Sequence, residues 1–172
     1  MTEITTIGPK VWIGCLACYN AGDLIGQWVD ATEAAEFVPC TRSEFGAQHE
    51  EFWVMDHDGF VGFLKGECSP SEAQKIAERM AEIESEGCDL AAVAAYVDNL
   101  SLDVGDLDLD QFMDAYEGRF DSDKDFAQDW ARGLGAVKED DEWPHTCIDW
   151  ERAARELMYD HFEQNHYYFR SM

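Results

Sequence analysis

Asp103–Asp129 reads DVGDLDLDQFMDAYEGRFDSDKDFAQD. Its acids are Asp103, Asp106, Asp108, Asp110, Asp114, Glu117, Asp121, Asp123, Asp125 and Asp129, opposed only by Arg119 and Lys124. Leu107, Leu109, Phe112, Met113, Tyr116, Phe120 and Phe126 thread them at intervals that suit amphipathic helices. A disordered acidic tail lacks such residues. The acids are therefore expected on a folded surface. The pattern predicts a helix from Asp106 or Asp108 to about Tyr116, ended by Gly118. A second starts at Asp121 or Ser122, with Phe126, Trp130 and Leu134 as its core face and Gly133 and Gly135 as its stop.

The same imbalance runs through the whole chain of 172 residues, with 37 Asp and Glu against 12 Lys and Arg and a formal net charge of -25. Hydrophobic residues at 46% and aromatics at 13% are enough to build cores, so global disorder is excluded. Direct binding to nucleic acid or to an anionic membrane is excluded too, because phosphate contacts need Lys and Arg. Solubility alone is served by a net charge of about 2–8. Halophilic adaptation also gives acidic surfaces, but nothing here singles it out. A basic macromolecular partner accounts for the whole excess. The first residues carry no apolar signal core, and no run approaches the roughly 20 apolar residues of a membrane span. Six cysteines without secretory context read as reduced thiols, so a cytoplasmic protein is expected.

Outward from the acidic stretch the chain reads as α+β. Val11–Tyr19 is a β-like run ended by the turn Asn20-Ala21-Gly22, and Leu24–Asp30 is its returning strand. Thr32 caps a short helix over Glu33–Val38, stopped by Pro39, and Glu51–Asp56 is a third strand before Asp58-Gly59. Ser69-Pro70 starts a helix with the stripe Ala73, Ile76, Ala77, Met80 and Ile83, while Glu78, Glu82 and Glu86 stack on another face. Asp89 caps the next, with Leu90, Val93, Ala94 and Val97 inward. Glu139-Asp140-Asp141-Glu142 is an acidic loop. Asp149–Phe162 reads as a last long helix carrying Glu156, Asp160 and Glu163 along one side, and Tyr167–Arg170 as a β-like end. Three segments result: an N-terminal α+β domain over 1–60, a helical middle over 61–104 and an acidic α+β domain over 105–172.

Sites of chemistry are sparse. Cys15-Leu16-Ala17-Cys18 tempts as a zinc or redox motif, but no second CxxC or HxxH pair accompanies it. On a strand, residues three apart face opposite ways, so packing is the expected role and no metal site is assigned. Asp106–Asp110 starts like a calcium loop, yet its sixth position is Gln111 where glycine is required. No nucleophile elbow, P-loop or dinucleotide fingerprint occurs. Neither a catalytic residue nor a cofactor is assigned, and the chain is not read as an enzyme.

Tyr19-Asn20-x-Gly22-x-Leu24-x-Gly26-x-Trp28, Glu51-Phe52 with Asp56-x-Asp58-Gly59-Phe60, Phe112-x-x-Ala115-Tyr116-x-Gly118, Asp125-Phe126-Ala127 and Gly133-Leu134-Gly135 follow one another in an order that resembles the ArdA family of antirestriction proteins. Ile148-Asp149-Trp150-Glu151-x-x-Ala154-x-x-Leu157 and Tyr168-Phe169-Arg170 extend the likeness to the end of the chain. The resemblance implies a DNA mimic that occupies the DNA-binding groove of type I restriction-modification enzymes. It also implies an elongated row of three small α+β domains that pairs as a homodimer through its C-terminal region. An acidic adaptor or chaperone-like module for another basic protein is the alternative. The phosphate-like surface is expected at Glu78, Glu82, Glu86, the ten acids of the opening stretch, Glu139, Asp140, Asp141, Glu142, Glu156 and Asp160.

Overall fold

Val11 and Ile13 alternate with Trp12, and that period of two sets strand β1 (Lys10–Cys15) with its aliphatic face inward and its indole outward. These details come from a computed structural model, which describes residues 8–44, 47–137 and 143–171. The predicted β-like run breaks at Cys15. Helix α1 (Leu16–Asn20) follows at once, because Leu16 and Ala17 favour a helix and Gly22 at φ +90° closes the turn. The predicted returning strand is β2 (Gly26–Asp30), antiparallel to β1 with Trp12 opposite Trp28. Gly14 and Gly26 face each other beneath the Trp12 ring, where an added Cβ would lie 2.4–2.5 Å from it.

Asp30, not Thr32, caps the next turn. Its carboxylate accepts the Thr32 hydroxyl and backbone N–H, which hold its pKa below the usual carboxylate range, and the segment Ala31–Glu36 is 3-10 rather than α. The short pair β3 (Ser43–Glu44) and β4 (Ala47–Gln48) precedes β5 (Phe52–Asp58), which lies on the other side of β1. Helix α2 (Pro70–Ser85) is capped by Ser69 accepting from Glu72 N–H, with Pro70 in the first turn. Its predicted stripe of Ala73, Ala77 and Met80 packs on Val11, Ile13 and Val54, with Phe60 and Leu64 filling between them. Residues on both sides of position 60 thus share one core. Arg79 donates to the carbonyls of Val104 and Leu107, tying that segment to α2.

The chain divides into two compact units, one of residues up to Ala94 with Leu102–Leu107, the other of Ala95–Ser101 with residues from Asp108 onward. Helix α3 (Leu90–Leu100) contributes to both, and the Asp89 carboxylate accepts from Ala91 N–H at its start. In the second unit Asp108 caps α4 (Leu109–Ala115), accepting from Asp110 and Gln111 N–H. Tyr116–Arg119 is then strand β6 rather than the helix end expected before Gly118. Ser122 caps α5 (Asp123–Gly133), which buries Phe126 and Ala127 but leaves Leu134 exposed, contrary to its predicted inward place. The predicted last long helix is shorter. Helix α6 (Trp150–Leu157) ends before β7 (His161–Gln164), and Asn165 (φ 54°) and His166 (φ 68°) turn the chain into β8 (Tyr167–Arg170). Two successive positive φ angles make a two-residue hairpin loop of the type that matches strand twist.

The second sheet has the order β6-β8-β7, and Phe169 on its central strand is fully buried. The rings of Phe162, Tyr96 and Tyr116 lie 5.0, 5.2 and 5.7 Å from it. A smaller core of Ala127, Val137, Trp150 and Ala154 joins α5 to α6. Overall the protein is mixed α+β with small antiparallel sheets. Phe169→Ala removes the ring on which this aromatic core converges. The expected loss is roughly 3–5 kcal/mol, measured by denaturant unfolding with the near-ultraviolet circular dichroism of the aromatics as the probe.

Candidate functional site

The predicted acids that the structure describes are all exposed except Glu117, which is half-buried. Glu139, Asp140, Asp141 and Glu142 lie outside the described residues. In the first unit, Glu78 and Glu82 stand on the outer face of α2, Glu86 forms its C-cap, Asp103 caps the 3-10 turn Val104–Asp106 and Asp106 ends it. The second unit carries the remainder. Helical spacing is less regular than predicted, since Asp121 precedes α5 and Asp160 follows α6. Asp125 and Asp129, four apart, do lie within one helix.

Local chemistry divides these acids into two groups. One group has structural work. Asp103 accepts from Gly105 N–H, and Asp108 caps α4. Asp123 accepts the Tyr168 hydroxyl at 2.7 Å, and Asp125 accepts that of Ser122. Burial first, then the Asp123 hydrogen bond, pushes the Tyr168 phenol well above its usual range. Glu82, Glu117, Asp129 and Glu156 pair with Arg79, Arg170, Arg132 and Arg152, and Glu78 accepts from Gln74. The other group is Glu86, Asp106, Asp110, Asp114, Asp121 and Asp160, whose carboxylates take no hydrogen bond or ion pair among the described residues. Their side chains are exposed to solvent. Neighbouring acids on one helix face, such as Asp110 and Asp114, stand about 5–6 Å apart.

Two further features are poorly visible in the sequence. On the outer face of the first sheet, a cleft of about 490 Å³ is lined by Trp12, Tyr19, Leu24, Trp28 and Trp53 among others. The alternation of Val11, Trp12 and Ile13 was its one signal. The second is a cluster of Cys15, Cys18, Cys40 and His49, whose sulfur and nitrogen atoms all lie within 4.8 Å of one another. The expectation that Cys15 and Cys18 face opposite ways fails, because β1 ends at Cys15 and the turn into α1 swings Cys18 back to the same side. His49 Nδ1 lies 3.4 Å from both of those sulfurs and 3.7 Å from that of Cys40. Burial, followed by hydrogen bonds from Cys15 and Cys40, pushes the Cys18 thiol up to about 12. The Arg42 N–H, donating to Cys40 Sγ at 3.4 Å, draws that thiol down. These are the donors that hold borderline and soft metal ions.

The family model described as antirestriction protein (ArdA) matches residues 11–169. Among curated proteins, none matches the chain.

The division of the acids is directly measurable. Asp108→Ala loses a helix cap and is expected to cost about 1 kcal/mol in urea unfolding. Asp114→Asn removes only unpartnered charge and should change stability by no more than about 0.5 kcal/mol.

Proposed function

The chain belongs to the ArdA family of antirestriction proteins, and on that footing we propose that it protects incoming mobile-element DNA by occupying the DNA-binding groove of type I restriction-modification enzymes as a DNA mimic. The observation that carries this reading is the set of exposed acids that the fold does not use, on a chain of net charge -25. Duplex DNA presents about one charge per 1.7 Å of axis, and a groove built to receive it is lined with Lys and Arg. A protein that fits the groove must offer charges already in place. Short Asp side chains, which dominate between Asp103 and Asp129, hold charge near the backbone and lose little rotamer freedom on binding. Inhibition is by occupancy, so no catalytic group is needed.

The finer features of the proposal are a cytoplasmic site of action and an elongated homodimer paired through the C-terminal region. Leu134, Trp143 and Tyr159, each more than 70% exposed in the second unit, support the latter as apolar surface that a second copy would cover. In sedimentation, Tyr159→Asp is expected to shift the protein toward the monomer.

Expression in a strain with a type I system should raise the plating of unmodified phage. In vitro the protein should displace DNA from the enzyme competitively, with an affinity falling more than about tenfold between roughly 50 and 200 mM salt. An affinity independent of salt would overturn mimicry. A soluble dimer without effect on plating would favour the acidic adaptor instead. Because the contacts are distributed, a single change such as Asp114→Asn should weaken inhibition only a few-fold. Neutralising Glu86, Asp106, Asp110, Asp114, Asp121 and Asp160 together should abolish it with the fold intact.

A further inference from the structure

We propose that Cys15, Cys18, Cys40 and His49 bind one zinc ion as a closed, structural Cys3His site. Distances come first. A tetrahedral ion with Zn–S of about 2.3 Å and Zn–N of about 2.0–2.1 Å requires S···S edges near 3.8 Å and S···N edges near 3.5 Å. Cys18 and Cys40 sulfurs stand 3.6 Å apart, and the three S···N separations are 3.4, 3.4 and 3.7 Å. A disulfide would bring two sulfurs to about 2.05 Å, and all three cysteines are free thiols. The ligands of an iron–sulfur cluster hold different iron atoms and stand further apart. Here the four donor atoms, the remaining Cys15–Cys18 and Cys15–Cys40 pairs included, all lie within 4.8 Å of one another.

The surrounding chain supports the assignment independently. Between positions 38 and 51, Cys40 is the only buried residue among those described. Among the described residues of that segment the one buried side chain is thus a thiol of the cluster, and the strands there, β3 and β4, are two residues each. The two ends of the cluster are held differently. Cys15 and Cys18 are fixed by the β1–α1 corner, with Cys15 N–H on the Ile25 carbonyl and Asp23 N–H on that of Cys18. Cys40 and His49 come from the segment before β5, where His49 N–H donates to the Arg42 carbonyl. The Arg42 N–H on Cys40 Sγ is the kind of outer contact that supports a metal-bound thiolate.

Four protein donors leave no open position, so the site is structural and not catalytic. Three thiolates with one imidazole favour zinc over the hard cations that the surface carboxylates would attract. Binding deprotonates the cysteines and releases their protons to solvent, after which the ion ties Cys40 and His49 to the β1–α1 corner. The site does not depend on the antirestriction reading, and its test involves no restriction enzyme.

The full chain, purified without chelator, should contain about one zinc per molecule by elemental analysis. Cobalt added to the metal-stripped protein should give the visible and near-ultraviolet bands of a tetrahedral thiolate site. Cys40→Ser and His49→Ala should lower bound zinc by roughly tenfold or more, while Cys88→Ser and Cys147→Ser leave it unchanged. If the ligand variants fail to fold, the native chain still decides the matter. A strong chelator should then expose three additional thiols, those of Cys15, Cys18 and Cys40, to a thiol reagent. Folded protein that takes up no zinc, a thiol count unaffected by chelator, iron in place of zinc, or a Cys15–Cys18 disulfide in fresh protein would each overturn the proposal.

Discussion

Mutual repulsion among 37 acids, offset by only 12 bases, is the force that every element of this chain must withstand. It shapes the fold in two ways. Acids are pushed to the surface, where water screens them, and the apolar residues left inside are unusually aromatic in the second unit. Phe112, Tyr116, Phe126, Phe162, Tyr168 and Phe169 pack ring against ring there. Large rings bury much area per residue, so a small core can hold against a strongly charged shell.

The first unit answers the same demand differently. A three-stranded sheet and α2 share one aliphatic core, and the 3-10 turn at Ala31–Glu36 adds two alanines to it. Cys40, the one buried side chain among the described residues of 38–51, lies in a separate cluster with Cys15 and Cys18. On the zinc proposal, coordinate bonds join Cys40 and His49 to the β1–α1 corner.

Some elements were legible in the sequence because one local signal outweighed all others. Ser69-Pro70 followed by a period of 3.6 left α2 no alternative, and Asp108 and Asp89 announced their helices by capping. Others were decided by contacts that no window contains. Val11–Tyr19 reads as continuous strand, yet its second half becomes helix. Tyr116–Arg119 and His161–Gln164 lack strand character until β8 arrives to pair with both. The acidic surface was legible residue by residue, since charge alone predicts exposure. The role of each acid was not, because capping and ion pairing depend on neighbours far along the chain, as Asp123 depends on Tyr168. Cys40 and His49 escaped for the same reason. Each is unremarkable alone, and only the fold brings them to Cys15 and Cys18.

The split between acids that support the fold and acids that support nothing has an evolutionary corollary. Carboxylates without internal partners can be lost at one position and regained nearby at little cost to stability. On the proposed function, such a chain can drift in sequence while its inhibitory field persists. The enzyme it opposes has less freedom, because discarding the basic residues that admit the inhibitor would also discard its grip on DNA. In that contest the imitator is mutable and the imitated polymer is fixed.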